Sequence, residues 1–163
     1  MTVKNMNKEL KIKVCGMRDA ENIHQLVTLP IDYIGFIFYA KSARFVSGKP
    51  EVSIPSSIKK VGVFVNTSKE EITAKIKEFD LQVVQLHGDE SPEFCQEIKD
   101  LDVETFKAFG IDEDLNWQSI VDYEGKVNYF LFDTKSKQYG GTGQTFNWEK
   151  LNDYPYNTPY WLS

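Results

Sequence analysis

The sequence predicts an α/β protein built on parallel strands, and three observations support this prediction. The chain has 163 residues, which is long enough for one domain with a buried core. Its strand-like segments are almost continuously apolar, as expected for parallel strands that are covered on both faces. Helical patterns lie in most of the gaps between these segments. We therefore expect a repeated βα unit in a single domain that spans residues 1–163.

Seven segments are the strand candidates, and most of them are rich in β-branched and aromatic residues. Val61-Gly-Val-Phe-Val65 and Tyr129-Phe-Leu-Phe132 are typical of them. Their starts recur roughly every 21 to 32 residues, which is a repeat of structure without a repeat of sequence. The predicted strands begin near Leu10, Ile31, Lys60, Leu81, Val103, Val127 and Pro159.

Local signals mark the helices that separate these strands. Ser68-Lys-Glu-Glu71 is a capping box, and Ser91-Pro92 combines an N-cap residue with proline at the first helical position. The apolar residues from Asp112 to Val121 predict another helix, which Gly125 ends. Residues 48–57 contain two prolines and no helical pattern, so we expect an extended loop there.

A closed (β/α)₈ barrel and an open doubly wound sheet both fit this order of elements. No Gly-x-Gly-x-x-Gly motif follows the first strand, which disfavours a dinucleotide-binding sheet. The short, regular connections favour the barrel. Such barrels have eight strands and usually roughly 200 residues or more. We therefore expect an incomplete TIM barrel, in which a helix, a strand and a helix (on the order of 40 residues) are missing after the seventh strand.

Composition and charge exclude several classes of partner. The net charge is −5, whereas proteins that bind nucleic acid or anionic membranes usually present a basic face. The polar segment from Met1 to Leu10 does not resemble a signal peptide, and no apolar run is long enough to span a membrane. Cys15 and Cys95 are expected to be free thiols in a reducing compartment. We expect a cytoplasmic protein with no nucleic-acid or membrane partner.

Two side chains at predicted strand ends are candidates for chemistry. Cys15 follows the first strand and precedes Gly16, at the carboxyl edge where parallel α/β folds place their active sites. Asp133 directly follows the apolar run of the sixth strand, which suits a general acid. A free cysteine is more often a buried apolar residue, and an aspartate after a strand is often an N-cap or turn residue. For each of the two residues, position in the sequence alone does not decide between the catalytic and the structural role.

Further polar residues lie near other strand ends. Arg44 follows the second strand and could bind a carboxylate or phosphate, although an isolated arginine is usually only solvated. Gln85 and His87 surround the end of the fourth strand and could be polar contacts or structural residues. The loop from Gly140 to Gly143 lets the backbone approach a ligand closely. No group of residues has zinc-ligand spacing, so we expect no metal.

Six motifs in a fixed order resemble the phosphoribosylanthranilate isomerase family of tryptophan biosynthesis. Each motif alone is weak, but together they cover the chain from about Leu10 to Ser163 and are specific. They are Lys13-Val-Cys-Gly16, Gly35-Phe-Ile-Phe-Tyr39 with Lys41-Ser-Ala-Arg44, Val61-Gly-Val-Phe-Val-Asn66, Val84-Gln-Leu-His-Gly-Asp-Glu90, Phe132-Asp-Thr134 and Gly140-Gly-Thr-Gly-Gln-Thr-Phe146.

The resemblance implies a (β/α)₈ barrel and a cofactor-free Amadori rearrangement of N-(5-phosphoribosyl)anthranilate. By motif, Cys15 corresponds to the general base and Asp133 to the general acid. Arg44 corresponds to an arginine that contacts the substrate, and the glycine loop to a mobile loop over the site. The expected substrate-binding residues are Arg44, Gln85, His87, Gly141 and Thr142. The expected assembly is a monomer or a homodimer.

The sequence departs from the family pattern in two places. Ala43 stands where the family usually has proline, which is expected to loosen the loop before Arg44. Family members bind the substrate phosphate with loops after strands seven and eight, and Ser163 lies where the first of these loops would begin. Because a remote phosphate helps to position the reacting centre, we expect the 163-residue form to have little activity.

Two other interpretations compete with an isomerase. An incomplete barrel could be inactive and could associate through its open strand edges. Another phosphosugar barrel, such as an epimerase, is a weaker alternative. The sequence lacks the metal ligands expected of such an enzyme, and this interpretation does not account for the paired Cys15 and Asp133.

Overall fold

Seven parallel strands form a single sheet in the computed structural model, which describes residues 10–111, 116–134 and 148–163. Each strand starts within three residues of its predicted position. The strands are β1 (Lys13–Cys15), β2 (Tyr33–Ile37), β3 (Lys59–Phe64), β4 (Val83–Leu86), β5 (Glu104–Ile111), β6 (Tyr129–Thr134) and β7 (Tyr160–Leu162).

Strand order in the sheet follows chain order from β1 to β7, and every pair is parallel. The prediction of parallel strands is therefore confirmed. All carboxyl ends lie at the same edge of the sheet, so the side chains that follow the strands converge there.

The sheet curls around a small apolar interior. Tyr33, Val61, Val83 and Phe106 are buried together, and Tyr129 and Trp161 pack against them. The ring of Tyr33 in β2 lies 5.0 Å from the ring of Trp161 in β7, although four strands separate these two in the sheet. A flat sheet would hold the two rings far apart, since neighbouring strands are about 4.8 Å apart. This contact shows barrel-like curvature, as predicted.

Three α-helices pack on the outer face of the sheet: α1 (Ala20–Leu26), α2 (Lys69–Phe79) and α3 (Pro92–Lys99). Asp19, Ser68 and Ser91 cap them by accepting hydrogen bonds from backbone N–H groups three residues further on. The larger of the two apolar cores lies between these helices and the sheet. Among the described residues, no helix is both long enough and apolar enough to cross a membrane.

The helix predicted from Asp112 to Val121 is wrong in type and in its described bounds. Strand β5 continues to Ile111, residues 112–115 lie outside the described part, and a 3₁₀ helix spans Trp117–Tyr123. The Asn116 side chain accepts from the N–H of Gln118, only two residues on, and this tight turn favours 3₁₀ winding. Gly125 follows with a φ of +78°, as its predicted stop role requires.

Residues 48–57 form no helix, as predicted from their prolines. A second 3₁₀ helix, Trp148–Asp153, precedes β7.

Candidate active site

Cys15 lies at the carboxyl end of β1, with its side chain over the backbone of Gly35. A β-carbon on Gly35 would lie only 2.7 Å from the Cys15 Sγ atom. Gly35 is two residues from Tyr33, so both face the interior of the curled sheet. The thiol is therefore partly buried on the interior face, at the strand edge where the loops meet. Sequence reasoning placed Cys15 at this edge but did not identify Gly35 as the residue that makes room for it.

Gly35→Ala is expected to lower the turnover of the reaction that the sequence resemblance implies roughly 100-fold, because a displacement of about 1 Å can cost that much. The added methyl group would push Sγ away from its position. Gly62→Ala is the matched control, since its β-carbon would instead meet Leu81 and Phe64 in the outer core. That variant should lose about 1–3 kcal/mol of stability while the folded fraction keeps its turnover. Kinetics and urea unfolding of both variants check this; equal turnover in both would contradict it.

Arg44 reaches the same strand end from the loop after β2. Its Nη1 atom donates to the backbone carbonyl of Cys15 at 3.1 Å. The side chain also lies over Gly16, where a β-carbon would approach both Cδ and Nη1 of Arg44 within 2.7 Å. Gly16 has a φ of +85°, a conformation that favours glycine. The structure therefore brings an exposed guanidinium next to the candidate base, as a substrate-binding role requires.

His87 and Asp133 meet across the carboxyl ends of β4 and β6. The Nε2 atom of His87 lies 3.6 Å from Oδ2 of Asp133, and both side chains are partly exposed. Asp133 lies two residues after Leu131 and four after Tyr129 along β6, so all three side chains project from the interior face. On the other side of the ring, Nε2 of Gln85 lies 3.3 Å from Nδ1 of His87. Gln85, His87 and Asp133 thus form one polar row.

Burial is the main cause that lowers the pKa of His87 below its usual value. The negative charge of Asp133 acts in the opposite direction and is outweighed. The positive charges of Lys107 and Lys13 lower the pKa further, and Glu90 raises it. At neutral pH the ring is therefore uncharged, and it can be both a donor and an acceptor.

Lys13 belongs to this region but was not among the predicted site residues. It lies two residues before Cys15 and pairs with Tyr33, so it shares the interior face with the thiol. Its charge acts on His87 across the barrel opening. The period of two along β1 was the signal in the sequence that could have identified it.

A buried ion pair fixes the loop that carries His87. Glu90 accepts from the backbone N–H groups of Asn66 and Gly88, at 2.9 Å or slightly longer. Lys107 Nζ donates to Glu90 at 3.0 Å and to the Gly88 carbonyl at 2.6 Å. Both side chains are at most 3% exposed. A lysine in the middle of an apolar strand was the available sequence signal, since lysine is almost never fully buried without a partner.

The remaining predicted contacts, Gly141 and Thr142, lie outside the described residues. Within the described ranges, no three His, Cys, Asp or Glu side chains are grouped so that they could hold a metal ion.

One sequence-family model matches the chain over almost its whole length. The model of N-(5′-phosphoribosyl)anthranilate isomerase matches residues 12–162. The chain belongs to this isomerase family. The isomerase of Phocaeicola vulgatus is 47% identical over 152 residues, which are 93% of this chain and 74% of that protein. The isomerase of Parabacteroides distasonis is 45% identical, over 93% of this chain and 71% of that protein.

Solved structures of family members have the same fold. The phosphoribosyl anthranilate isomerase of Thermotoga maritima superposes with a TM-score of 0.77 and 34% identity, over 89% of this chain and 71% of that one. A structure of monomers generated from the dimeric Thermotoga maritima enzyme gives 0.71 and 30%, over 89% and 70%. An isomerase bound to reduced 1-(o-carboxyphenylamino)-1-deoxyribulose 5-phosphate gives 0.60 and 28%, over 77% and 75%.

The family membership confirms the resemblance on which the sequence-based prediction rested, and the parallel sheet of the described residues confirms the TIM-barrel fold class. The family is one of isomerases in tryptophan biosynthesis.

Proposed function

We propose that this chain isomerises N-(5′-phosphoribosyl)anthranilate, with Asp133 as general acid and Cys15 as general base. One observation carries the assignment of roles: the curled sheet places both side chains on its interior face, at the carboxyl ends of β1 and β6. A reaction that needs an acid and a base on different atoms of one sugar requires two such groups that face a common space. The ligand in the related complex, a reduced form of the product, supports a phosphorylated small-molecule substrate.

The reaction begins at the furanose ring. Protonated Asp133 donates its proton to the ring oxygen as the C1–O bond breaks, and the nitrogen lone pair forms a C1 iminium ion. Cys15, as thiolate, then removes the C2 proton, and the C2–H electrons form the C1–C2 double bond of an enolamine. Protonation at C1, with loss of the proton from the C2 hydroxyl, gives the 2-ketone. The iminium nitrogen accepts the electron pair, so the residues of the chain carry out both proton transfers without a redox partner.

Arg44 and the polar row are proposed to bind the substrate. The guanidinium beside Cys15 suits the anthranilate carboxylate or another anionic group, because it can donate two parallel hydrogen bonds. Gln85, His87, Gly141 and Thr142 remain proposed contacts.

Conversion of the substrate by the protein tests the proposal directly. With ¹³C at C2 of N-(5′-phosphoribosyl)anthranilate, the NMR signal should move from a carbinol to a ketone carbon, with no added cofactor. In D₂O, deuterium should appear at C1 of the product, since the enolamine is protonated there. Buffer without protein and heat-denatured protein are the controls. Slow formation of the ketone also supports the proposal, so the reaction is followed to a long end point. Absence of the ketone signal at that end point would contradict the proposed function.

We also propose a cytoplasmic location and a single domain. The two cysteines are unpaired, which suits a reducing compartment, and all seven strands join one sheet. A monomer or a homodimer remains the proposed assembly, and a related enzyme is described as dimeric.

A further inference from the structure

Gln85 is a buried amide whose only polar contact among the described residues is the ring of His87. The residue is 3% exposed and lies in β4, two positions before His87 on the same face. Its Nε2 atom lies 3.3 Å from Nδ1 of the ring, and its Oε1 has no hydrogen-bond partner in the described part of the chain. Burying an amide costs free energy unless it is hydrogen-bonded, so the contact with His87 is the one that offsets this cost among the described residues.

The other side of the ring determines which nitrogen carries the proton. Nε2 faces a carboxylate oxygen of Asp133 at 3.6 Å. A neutral imidazole has one N–H donor and one bare acceptor nitrogen. With the proton on Nε2, the ring points a donor at Asp133, and the bare Nδ1 accepts from the Gln85 amide. With the proton on Nδ1, a lone pair would face the carboxylate, and the amide NH₂ would face another N–H.

A half-turn of the Gln85 amide does not make the Nδ1–H tautomer fit both neighbours of the ring. The amide oxygen could then accept from Nδ1–H, but the bare Nε2 would still face Asp133. While Asp133 is a carboxylate, only the Nε2–H form with the amide NH₂ towards Nδ1 satisfies both neighbours of the ring. When Asp133 holds its proton, its other carboxyl oxygen can still accept from Nε2–H.

We propose that Gln85 is a positioning residue that fixes His87 in its Nε2–H tautomer, so that the ring points its N–H at Asp133. This inference rests on the proposed role of Asp133 as the general acid. Gln85 thereby acts through His87, and not only as the substrate contact that its sequence position indicates.

The charges around His87 agree with an uncharged ring. Lys13 on β1 and Lys107 on β5 disfavour a second proton, and burial disfavours it most. Asp133 on β6 and Glu90 in the loop after β4 favour it but are outweighed. A neutral donor can orient the Asp133 carboxyl without placing a full positive charge beside it. A neighbouring imidazolium would stabilise the ionised carboxylate, and an ionised carboxylate cannot act as an acid.

Nitrogen NMR of histidine-labelled protein tests the tautomer. The two ring nitrogens resonate far apart when one is bare and one carries a proton, and their couplings to the ring protons distinguish Nδ1 from Nε2. The chain has only two histidines, and His24→Gln identifies the signals of His87. We expect the bare nitrogen of His87 to be Nδ1 at pH 7 and above. A bare Nε2 in the wild-type protein would overturn the inference.

Gln85→Glu tests the cause, because a carboxylate in place of the amide can only accept from Nδ1–H. The proton should then appear on Nδ1 of His87, and kcat should fall roughly 10- to 100-fold with a smaller change in KM. Gln82→Glu is the matched control, since it adds the same charge just before β4, at the opposite end of the strand. It should leave the His87 spectrum unchanged.

An unchanged His87 tautomer in Gln85→Glu, or a changed tautomer with unchanged kcat, would overturn the positioning role. If Gln85→Glu does not fold, the wild-type spectrum still decides the tautomer, and Gln85→Met provides the kinetic test without a buried charge. If the wild-type protein fails to isomerise the substrate but has the Nε2–H tautomer, the proposed function fails and the assignment of the proton stands.

Discussion

Replacing Cys15 by alanine is expected to lower kcat for the isomerisation by about 10²- to 10⁴-fold, which is the usual contribution of a positioned general base. The variant retains the scaffold, because the thiol is only partly buried and the space above Gly35 simply becomes larger. KM should change little, since Arg44 and the polar row keep their positions. Steady-state kinetics on N-(5′-phosphoribosyl)anthranilate measures both constants.

The other thiol provides the control. Cys95 is fully buried in α3, on the outer face of the sheet, and takes no part in the proposed chemistry. Burial raises the pKa of the Cys95 thiol to about 12, so it remains protonated at neutral pH. Cys95→Ala should lose stability while its folded fraction keeps kcat. Retained turnover in Cys15→Ala, or an equal loss of turnover in both variants, would show that Cys15 is not the base.

Lys107→Met is expected to destabilise the fold by about 3–5 kcal/mol, because it leaves the buried carboxylate of Glu90 without its cation. The pair is at most 3% exposed, so water cannot replace the lost partner. Urea unfolding at pH 7 measures the loss. The loop before Glu90 also contains His87, so the surviving folded protein should have lower turnover.

Lys69→Met is the matched control for this second prediction. Lys69 and Glu97 form an exposed ion pair at 3.5 Å, with side-chain exposures of 38% and 56%. Exposed pairs contribute about 0–1 kcal/mol, so the variant should unfold nearly like the wild type. A loss of stability in Lys107→Met that is no larger than in Lys69→Met would refute the structural role of the buried pair.

Much of the fold could be predicted because its signals are local. Nearly continuous apolar runs located most of the strands, and the N-caps at Ser68 and Ser91 located two of the helices. The helix predicted from Asp112 failed because the Asn116 side chain closes a tighter turn than an apolar pattern can reveal.

The sequence by itself determined that Cys15 and Asp133 follow parallel strands and therefore lie at one edge of the sheet. Their catalytic roles stay predictions until the variants are measured. Only the tertiary structure decided which groups surround them: Gly35 beneath the thiol, Arg44 on the Cys15 carbonyl, and His87 facing Asp133. These neighbours are 20 to 46 residues apart in the chain. Contacts at such separations depend on strand register and sheet curvature, and these arise from the packing of all strands together.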